Sequence, residues 1–395
     1  MLQAVEPFQT DAVKRAPVST VVDVAIVGGG PAGCAAAIAL TRHNRQVIVL
    51  ERSHYDTTRA GENLSASARP LLGRLGVLER IEAAGHLPSF GILAAWGEHA
   101  EQDSLHDPYG HGWHIDRQAF DLMMAHAASE AGSLVLCGAA LKECKQSRDG
   151  HWRLTATLLD STAVVEARFL VDATGRNSPG IRMWGGTRVV YDRLIGLLKV
   201  FQGGTRGPRD ARTIIEAVEN GWWYSVPLSG DRLLAGFLTD ADQLGSAATK
   251  SDACFQESLC LTRWTQRRVA EYATQSAISI VPAFSYIRRD VIARNRLCVG
   301  DAASAFDPLS GSGLAKAMES SLRACDAIHA HLAGDEKALE DYGSWVAGRF
   351  AKYWERRSRY YCIEDRWPES PFWKRRGLET HKPKPLLRQT TRLIF

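Results

Sequence analysis

The chain has 395 residues, 45% hydrophobic and 23% charged, with a formal net charge of +4, the make-up of an ordinary globular protein long enough for two domains. No apolar run is long enough to span a bilayer, and residues 1–20 lack the basic start and apolar centre of a secretory signal, so the expected location is cytoplasmic. From Arg349 onward there are 13 Lys and Arg against 5 Asp and Glu. Trp354, Trp367 and Trp373 interleave with these charges, which argues for a segment packed on the body rather than a nucleic-acid arm.

In chain order, VDVAIVGGG reads as a short buried strand, followed by a helix from Pro31 to about Arg42 and a second strand, QVIVLER (46–52). This strand–helix–strand order is a βαβ unit and predicts a parallel sheet. Residues 67–84 have the apolar spacing of a helix, and HGWHIDRQAFDLMMAHAASEAG (111–132) is a short strand running into one. RFLVDATGR (168–176) and RLCVGDA (296–302) are two more strand-to-turn passages. Between about Arg188 and Asp240 the period drops to two, as in a half-buried antiparallel sheet. There WWYSVPL and RLLAGFL flank a Ser-Gly-Asp turn. After Leu314 a helix face returns.

The expected architecture is α/β. A discontinuous Rossmann-like domain comprises 20–87, 112–185 and 285–345, and an inserted antiparallel-sheet substrate domain comprises 88–111 and 186–284. A helical basic segment, 346–395, packs on the body or docks a partner. A tail of the docking kind would be removable after Arg349 without loss of a cofactor.

Gly28, Gly30 and Gly33 form G-x-G-x-x-G between that first strand and helix. The first glycine permits the tight turn, the second lets the backbone approach a pyrophosphate, and the third lets helix and strand pack closely. Unpaired N–H groups at the helix start favour phosphate, and Glu51, closing the next strand, can accept hydrogen bonds from a ribose. A second dense turn, DPLSGSG (307–313), follows Asp301 and opens the late helix. The eight cysteines form no C-x-x-C pair and read as reduced core thiols. His106, His111 and His114 lack a carboxylate at metal spacing and read as loop residues, so no metal is expected.

These motifs resemble the FAD-dependent oxidoreductases of the para-hydroxybenzoate hydroxylase-like fold. The resemblance rests on VAIVGGGPAGCAAAIAL with Glu51, on DATGRNSPGIR (172–182), and on VGDAASAFDPLSGSGLAKAM, and it covers about residues 20–345. The mid-chain motif keeps Gly175, Ser178 and Arg182 but has Thr174 where an Asp often stands. The resemblance implies bound FAD. Arg117 lies near the cofactor, Asp301 binds the ribityl chain, and Pro308, Gly311, Ser312, Gly313 and Leu314 lie along the flavin ring.

GEN (61–63), DPLSGSG and GWWYSVPL (221–228) are similar to flavin-dependent halogenases, whose Trp-x-Trp-x-Ile-Pro signature reads here Trp222, Tyr224, Val226, Pro227. Tryptophan halogenases need a lysine after the Gly-Glu loop, and LPSFGILAAWG (87–97) has none. A closer resemblance is to the flavoproteins that mature tryptophylquinone cofactors. It implies a monooxygenase working through a flavin C4a-hydroperoxide on a peptidyl tryptophan. The electron source is NAD(P)H or an external flavin reductase, molecular oxygen is the co-substrate, and the polypeptide precursor of a quinone enzyme is the partner.

On this reading Trp222, Trp223 and Tyr224 wall a substrate pocket, Glu62 orients the substrate or communicates with the flavin, and Ser310 contacts the ring edge. The alternatives are a halogenase or small-molecule aromatic hydroxylase, a geranylgeranyl-reductase-like flavoprotein, and a protein that keeps FAD only as a structural element.

Overall fold

In a computed structural model, which describes residues 21–377 apart from 58, 98, 104–106, 160, 177–182, 205–209 and 245–247, two large sheets carry the architecture. The first is ordered 292–293, 296–298, 162–172, 21–27, 47–51, 134–137, and its last five strands run parallel. Val24–Val27 and Val47–Leu50 are buried without alternation because both faces are covered.

On one face lies the helix Pro31–Arg42, every residue of which is buried from Ala32 to Leu40. Its small side chains let it lie close to the strands and to the helix Gly313–Leu332. A Cβ at Gly33 would overlap the carbonyl of Gly28, so the third fingerprint glycine is a packing requirement. On the other face, strands 140–146 and 152–157 extend the strand Thr162–Asp172 antiparallel and cover it with Trp152 and Leu154.

The second sheet is ordered 274–275, 194–202, 232–240, 221–228, 213–218, 91–95, 99–103. All its pairings are antiparallel except that of Thr213–Val218 with Gly91–Ala95. Strands of this kind present alternate residues to opposite faces, and the two faces have different fates. One, carrying Leu197, Phe201, Trp223, Leu233 and Phe237, is sealed by Phe255 and Leu259 of the helix Ala248–Cys260. The other, carrying Trp222, Tyr224, Leu198 and Gly236, looks toward the dinucleotide-type domain.

Residues 67–84 differ from the single helix anticipated. A helix Arg69–Leu75 ends at Gly76 in the left-handed conformation (φ +66°), and a second begins at Leu78. Gly76 adopts this backbone cheaply, so the apolar spacing continues through a break.

The C-terminal segment is packed on the body through Gly377. The helix Ala338–Ile363 buries Tyr342, Val346, Phe350, Tyr353, Trp354, Arg357 and Tyr361. Beyond it, Phe372 and Trp373 enter an aromatic cluster under the second sheet, while Arg376 forms a bidentate pair with Asp240 at 2.7 and 3.1 Å. Through Gly377 the segment is therefore of the packed kind. Residues 378–395 lie outside the described range.

Candidate active site

The first half of the site is built around the glycine turn. Gly28 has φ +103°, and a side chain there would strike the carbonyl of Ala173. A Cβ at Gly30 would meet only the Arg59 guanidinium, 4.0 Å away, so the start of the helix is uncovered, and no side chain caps it. Glu51 is buried, accepting from Gly29 N at 2.7 Å, Ser53 Oγ at 2.6 Å and Arg59 Nη2 at 3.2 Å. Burial works to raise this carboxyl, yet the bonds from Ser53 and Gly29 and the Arg59 charge prevail and hold it below the usual carboxylate range.

Arg59 and Arg117 are cross-linked by the buried Asp121. Its carboxylate takes Arg59 Nη1 at 3.1 Å, Arg117 Nε at 3.1 Å and Arg117 Nη2 at 3.1 Å. Arg117 also donates to the carbonyl of Ala60. The Arg59 guanidinium therefore stands by an uncapped helix start, with that of Arg117 tied to it through Asp121, a donor set that suits a pyrophosphate.

The second half is the turn after Asp301. Asp301 lies between two cations, Lys316 Nζ at 2.6 Å and Arg176 Nε at 3.0 Å. These hold its carboxyl low although burial pushes the other way. A carboxylate with two partners still has lone pairs for hydroxyl donors, so the arrangement fits a ribityl chain.

Arg176 also donates to the carbonyls of Phe284 (2.8 Å) and Phe306, tying the mid-chain motif to the loop. Asp172 in that motif is a structural acid, bound to Arg288 at 2.7 Å and to Thr174 Oγ1 at 2.6 Å. Thr174 thus serves as a cap for Asp172. Ser178 and Arg182 lie outside the described residues.

Asp307 is fully buried and accepts from Leu309 N (2.9 Å), Arg357 Nε (2.9 Å) and Tyr361 Oη (2.8 Å). Pro308, Ser310 and Gly313 are exposed along the loop. Gly311 is left-handed (φ +58°), and a Cβ on Gly313 would meet nothing within 4 Å. The helix from Gly313 has no side-chain cap at Ser312, so its first N–H groups face open space, and Leu314 packs behind them in the core. The residues present at both glycine turns fit FAD. Ser310 Oγ accepts from Ser312 Oγ at 3.1 Å, which stabilises the turn, and the residue stays exposed.

The Gly61-Glu62-Asn63 stretch adjoins this loop, with Asn63 Nδ2 3.2 Å from where a Cβ on Gly311 would stand. Glu62 is buried. Burial raises its carboxyl above the ordinary range against the pull of Arg117. It faces Tyr224, whose hydroxyl burial raises strongly, with the Glu62 charge adding to the effect. Tyr224 lies over Gly236, where any side chain would strike its ring.

In register with Tyr224 are Ile215 and then Ala94, with Ile92 on the same side of its strand. Ile92, Ala94, Ile215 and Tyr224 are all only half-buried. They form an apolar floor with one buried carboxyl at its margin.

Trp222 and Trp223 are placed differently from Tyr224. Trp223 is on the opposite face, packed on Phe237 and Phe255 and bonded to Ser258 Oγ at 3.0 Å. It walls no pocket, because strand alternation turns it away. Trp222 shares the face of Tyr224 but is fully covered by Trp96 and Tyr361, so it closes the end of the floor and offers no open surface.

Among the histidines, His106 is outside the described residues. His114 is a buried strand residue, not a loop residue, with Nε2 2.7 Å from the carbonyl of Ala211. Arg59, Asp121, Arg176, Lys316, Ile92, Ala94 and Ile215 were missed by motif reading. Arg176, Asp121, Lys316, Ile92 and Ala94 nevertheless lie inside passages already singled out, 168–176, 111–132, 299–318 and 87–97, whereas Arg59 lies outside them.

A parallel sheet with two glycine turns that fit the two ends of FAD, set against an apolar sheet floor, defines an FAD-dependent oxidoreductase. The chain belongs to the family described as FAD binding domain, which matches residues 21–350. The FAD-dependent oxidoreductase LodB of Marinomonas mediterranea is 30% identical over 364 residues, 90% of this chain and 96% of that protein. The myxobacterial chondrochloren halogenase CndH superposes with a TM-score of 0.82 at 23% identity over 91% of this chain and 86% of its own. The peptidyl tryptophan dihydroxylase QhpG superposes with a TM-score of 0.77 at 23% identity over 90% and 79%. At these identities the two solved structures establish the shared fold. No helix among the described residues is long and apolar enough to cross a membrane.

Proposed function

We propose that the protein is a monooxygenase that hydroxylates an electron-rich aromatic ring, the indole of a tryptophan in a polypeptide, during tryptophylquinone cofactor biogenesis. The observation that carries this reading is the side of Gly91–Ala95 facing the site, which presents Ile92 and Ala94. This is the segment in which the resemblance to tryptophan halogenases would require a lysine. The ammonium beside the flavin loop, Lys316, is engaged by Asp301 at 2.6 Å and by the carbonyl of Ser304. The site is therefore poor in the group that halogenation needs and rich in the apolar surface that an aromatic guest needs. QhpG, described as essential for tryptophylquinone cofactor biogenesis, supports the choice of substrate class.

Bound FAD would supply the oxygen chemistry, using two electrons from NAD(P)H or a reductase to place one atom of dioxygen on the ring and release the other as water. The residues of this chain do the rest. Gly28, Gly30, Gly33, Arg59 and Arg117 hold the pyrophosphate half, and Asp301 holds the ribityl hydroxyls. The backbone at Gly311–Leu314 faces the electron-rich edge of the ring, where uncapped N–H groups favour negative charge.

Ile92, Ala94, Ile215 and Tyr224 support the indole ring. Indole is already nucleophilic, so holding it in line contributes more than a strong base would. Glu62, whose carboxyl burial raises above the ordinary range, would in its protonated form donate a hydrogen bond to the guest or supply a proton. The block of Trp96, Trp222 and Tyr361 excludes water from one end of the floor.

The test mixes FAD-loaded, reduced protein with oxygen, chloride or bromide, and a tryptophan peptide, and weighs the product. A gain of one or two oxygen atoms is expected. A halogen in the product, or an unmodified peptide with reduction of a prenyl substrate instead, would overturn the reading.

A further inference from the structure

Beneath the flavin loop the aromatic side chains do more than fill space, for they form an unbroken file from Asp307 to the surface. Tyr361 donates to Asp307 Oδ2 at 2.8 Å and receives Trp222 Nε1 at 2.9 Å. Its ring lies 5.5 Å from Trp96 and 6.0 Å from Trp373. Trp96 and Trp373 are 5.3 Å apart, and Trp373 lies 6.2 Å from Trp367. Trp367 is half-exposed, whereas Trp96, Trp373 and Tyr361 are buried. Aromatic packing alone would be satisfied by any apolar rings. Phe372 packs beside Tyr361 and Trp373, yet the file can be traced from loop to surface through tyrosine and tryptophan alone, the readily oxidised rings.

We propose that Tyr361, Trp96, Trp373 and Trp367 form a one-electron conduit from the flavin loop to solvent, by which oxidising equivalents stranded in the site are drained. The oxidant is an oxygen-derived radical such as hydroxyl, arising when oxygen chemistry in the site miscarries. It takes one electron from Tyr361 and, with a proton from solvent, becomes water.

The phenolic proton of Tyr361 moves along its hydrogen bond to the carboxylate of Asp307. Proton and electron leave together, so no positive charge accumulates beside Arg357 and Arg376, which lie 4.4 and 5.2 Å from the ring centre. An electron from Trp96 or Trp373 refills Tyr361, and its proton returns from Asp307. The indole N–H groups of these tryptophans donate to the carbonyls of Tyr360 (2.9 Å) and Val218 (3.1 Å), which ease the transient charge. Trp367 then passes the vacancy to a solution reductant of the thiol or ascorbate class, which loses the electron. The conduit depends on the family assignment and not on which aromatic compound is modified.

The test is laser-flash photolysis of the FAD-loaded protein, in which the light-excited cofactor takes one electron inside the site and so stands in for the stranded oxidant. The expected result is a tyrosyl signal that decays as a tryptophanyl signal grows, at a rate independent of protein concentration. Trp367→Phe, a half-exposed position whose change should leave the bound-flavin spectrum intact, is expected to reduce the amplitude of that phase several-fold. Tyr361→Phe should abolish it. An unchanged phase in Trp367→Phe overturns the proposal, as does a wild-type protein with no intramolecular phase.

Discussion

Glu62 illustrates what burial does to one carboxyl. Two residues from Ala60, whose carbonyl Arg117 holds, it is buried and raised above the ordinary range. A carboxyl raised in this way keeps its proton to higher pH, so a rate that uses the protonated form falls as pH rises through the shifted value. We expect Glu62→Gln to lower turnover by about 10²-fold or more, to retain FAD, and to lose that alkaline limb. Steady-state rates over a pH series, with flavin absorbance as the control, check this. Tyr224 can be probed by Gly236→Ala, because a methyl there meets the Tyr224 ring and Leu198. That variant should raise KM for the aromatic substrate several-fold while leaving FAD affinity unchanged, as equilibrium titration would report.

At the scale of elements, the flavin loop does not hold itself in place. Its first acid, Asp307, is fastened from the helix Ala338–Ile363 by Arg357 and Tyr361, and Tyr353 Oη accepts from its backbone N–H at 2.7 Å. Removing one partner of a buried ion pair costs about 3–5 kcal/mol when the other is left uncompensated, and less here because Arg357 keeps Asp192 at 3.1 Å. Asp307→Ala is expected to lose stability by less than that full amount and to release FAD during gel filtration, as urea unfolding and flavin content would report. Deleting everything after Arg349 takes away Tyr353, Arg357, Tyr361 and Trp373 together. We expect a protein that is insoluble or colourless, and a soluble yellow truncation would contradict the role assigned to this helix.

At the scale of the molecule, His114 lies where the small sheet of strands 63–64, 87–89 and 112–114 meets the approach to the large antiparallel sheet at Ala211. Burial lowers its pKa from 6.5 to about 4, with the Ala211 carbonyl opposing and Arg268 assisting. Between those values the unfolded chain binds the proton and the folded chain does not. Stability from this group is therefore present above about pH 6.5 and falls with acidification, by about 3 kcal/mol at pH 4. His114→Gln should unfold in urea with a shallower dependence on pH across that window, whatever its stability at pH 7.

The first glycine turn, Glu51 and the parallel-then-antiparallel order were legible because each rests on local physics, whereas Asp301 and the second turn were legible through the family resemblance. Only glycine fits a left-handed or crowded backbone, and the apolar period reports which faces are covered. The fate of three adjacent residues was not legible in that way. Strand alternation sets Trp223 apart from Trp222 and Tyr224, but does not say that Trp222 caps the floor, that Trp223 is sealed in the opposite core and that Tyr224 is left half-open. What decided among them came from far along the chain. Tyr361 covers Trp222, Phe255 covers Trp223, and Gly236 clears room for Tyr224. The sequence alone therefore determined the two glycine turns and, through the family they mark, a dinucleotide-type cofactor. Tertiary structure decided what faces it, because a side chain becomes a wall, a core or a proton donor only through neighbours that the chain brings from elsewhere.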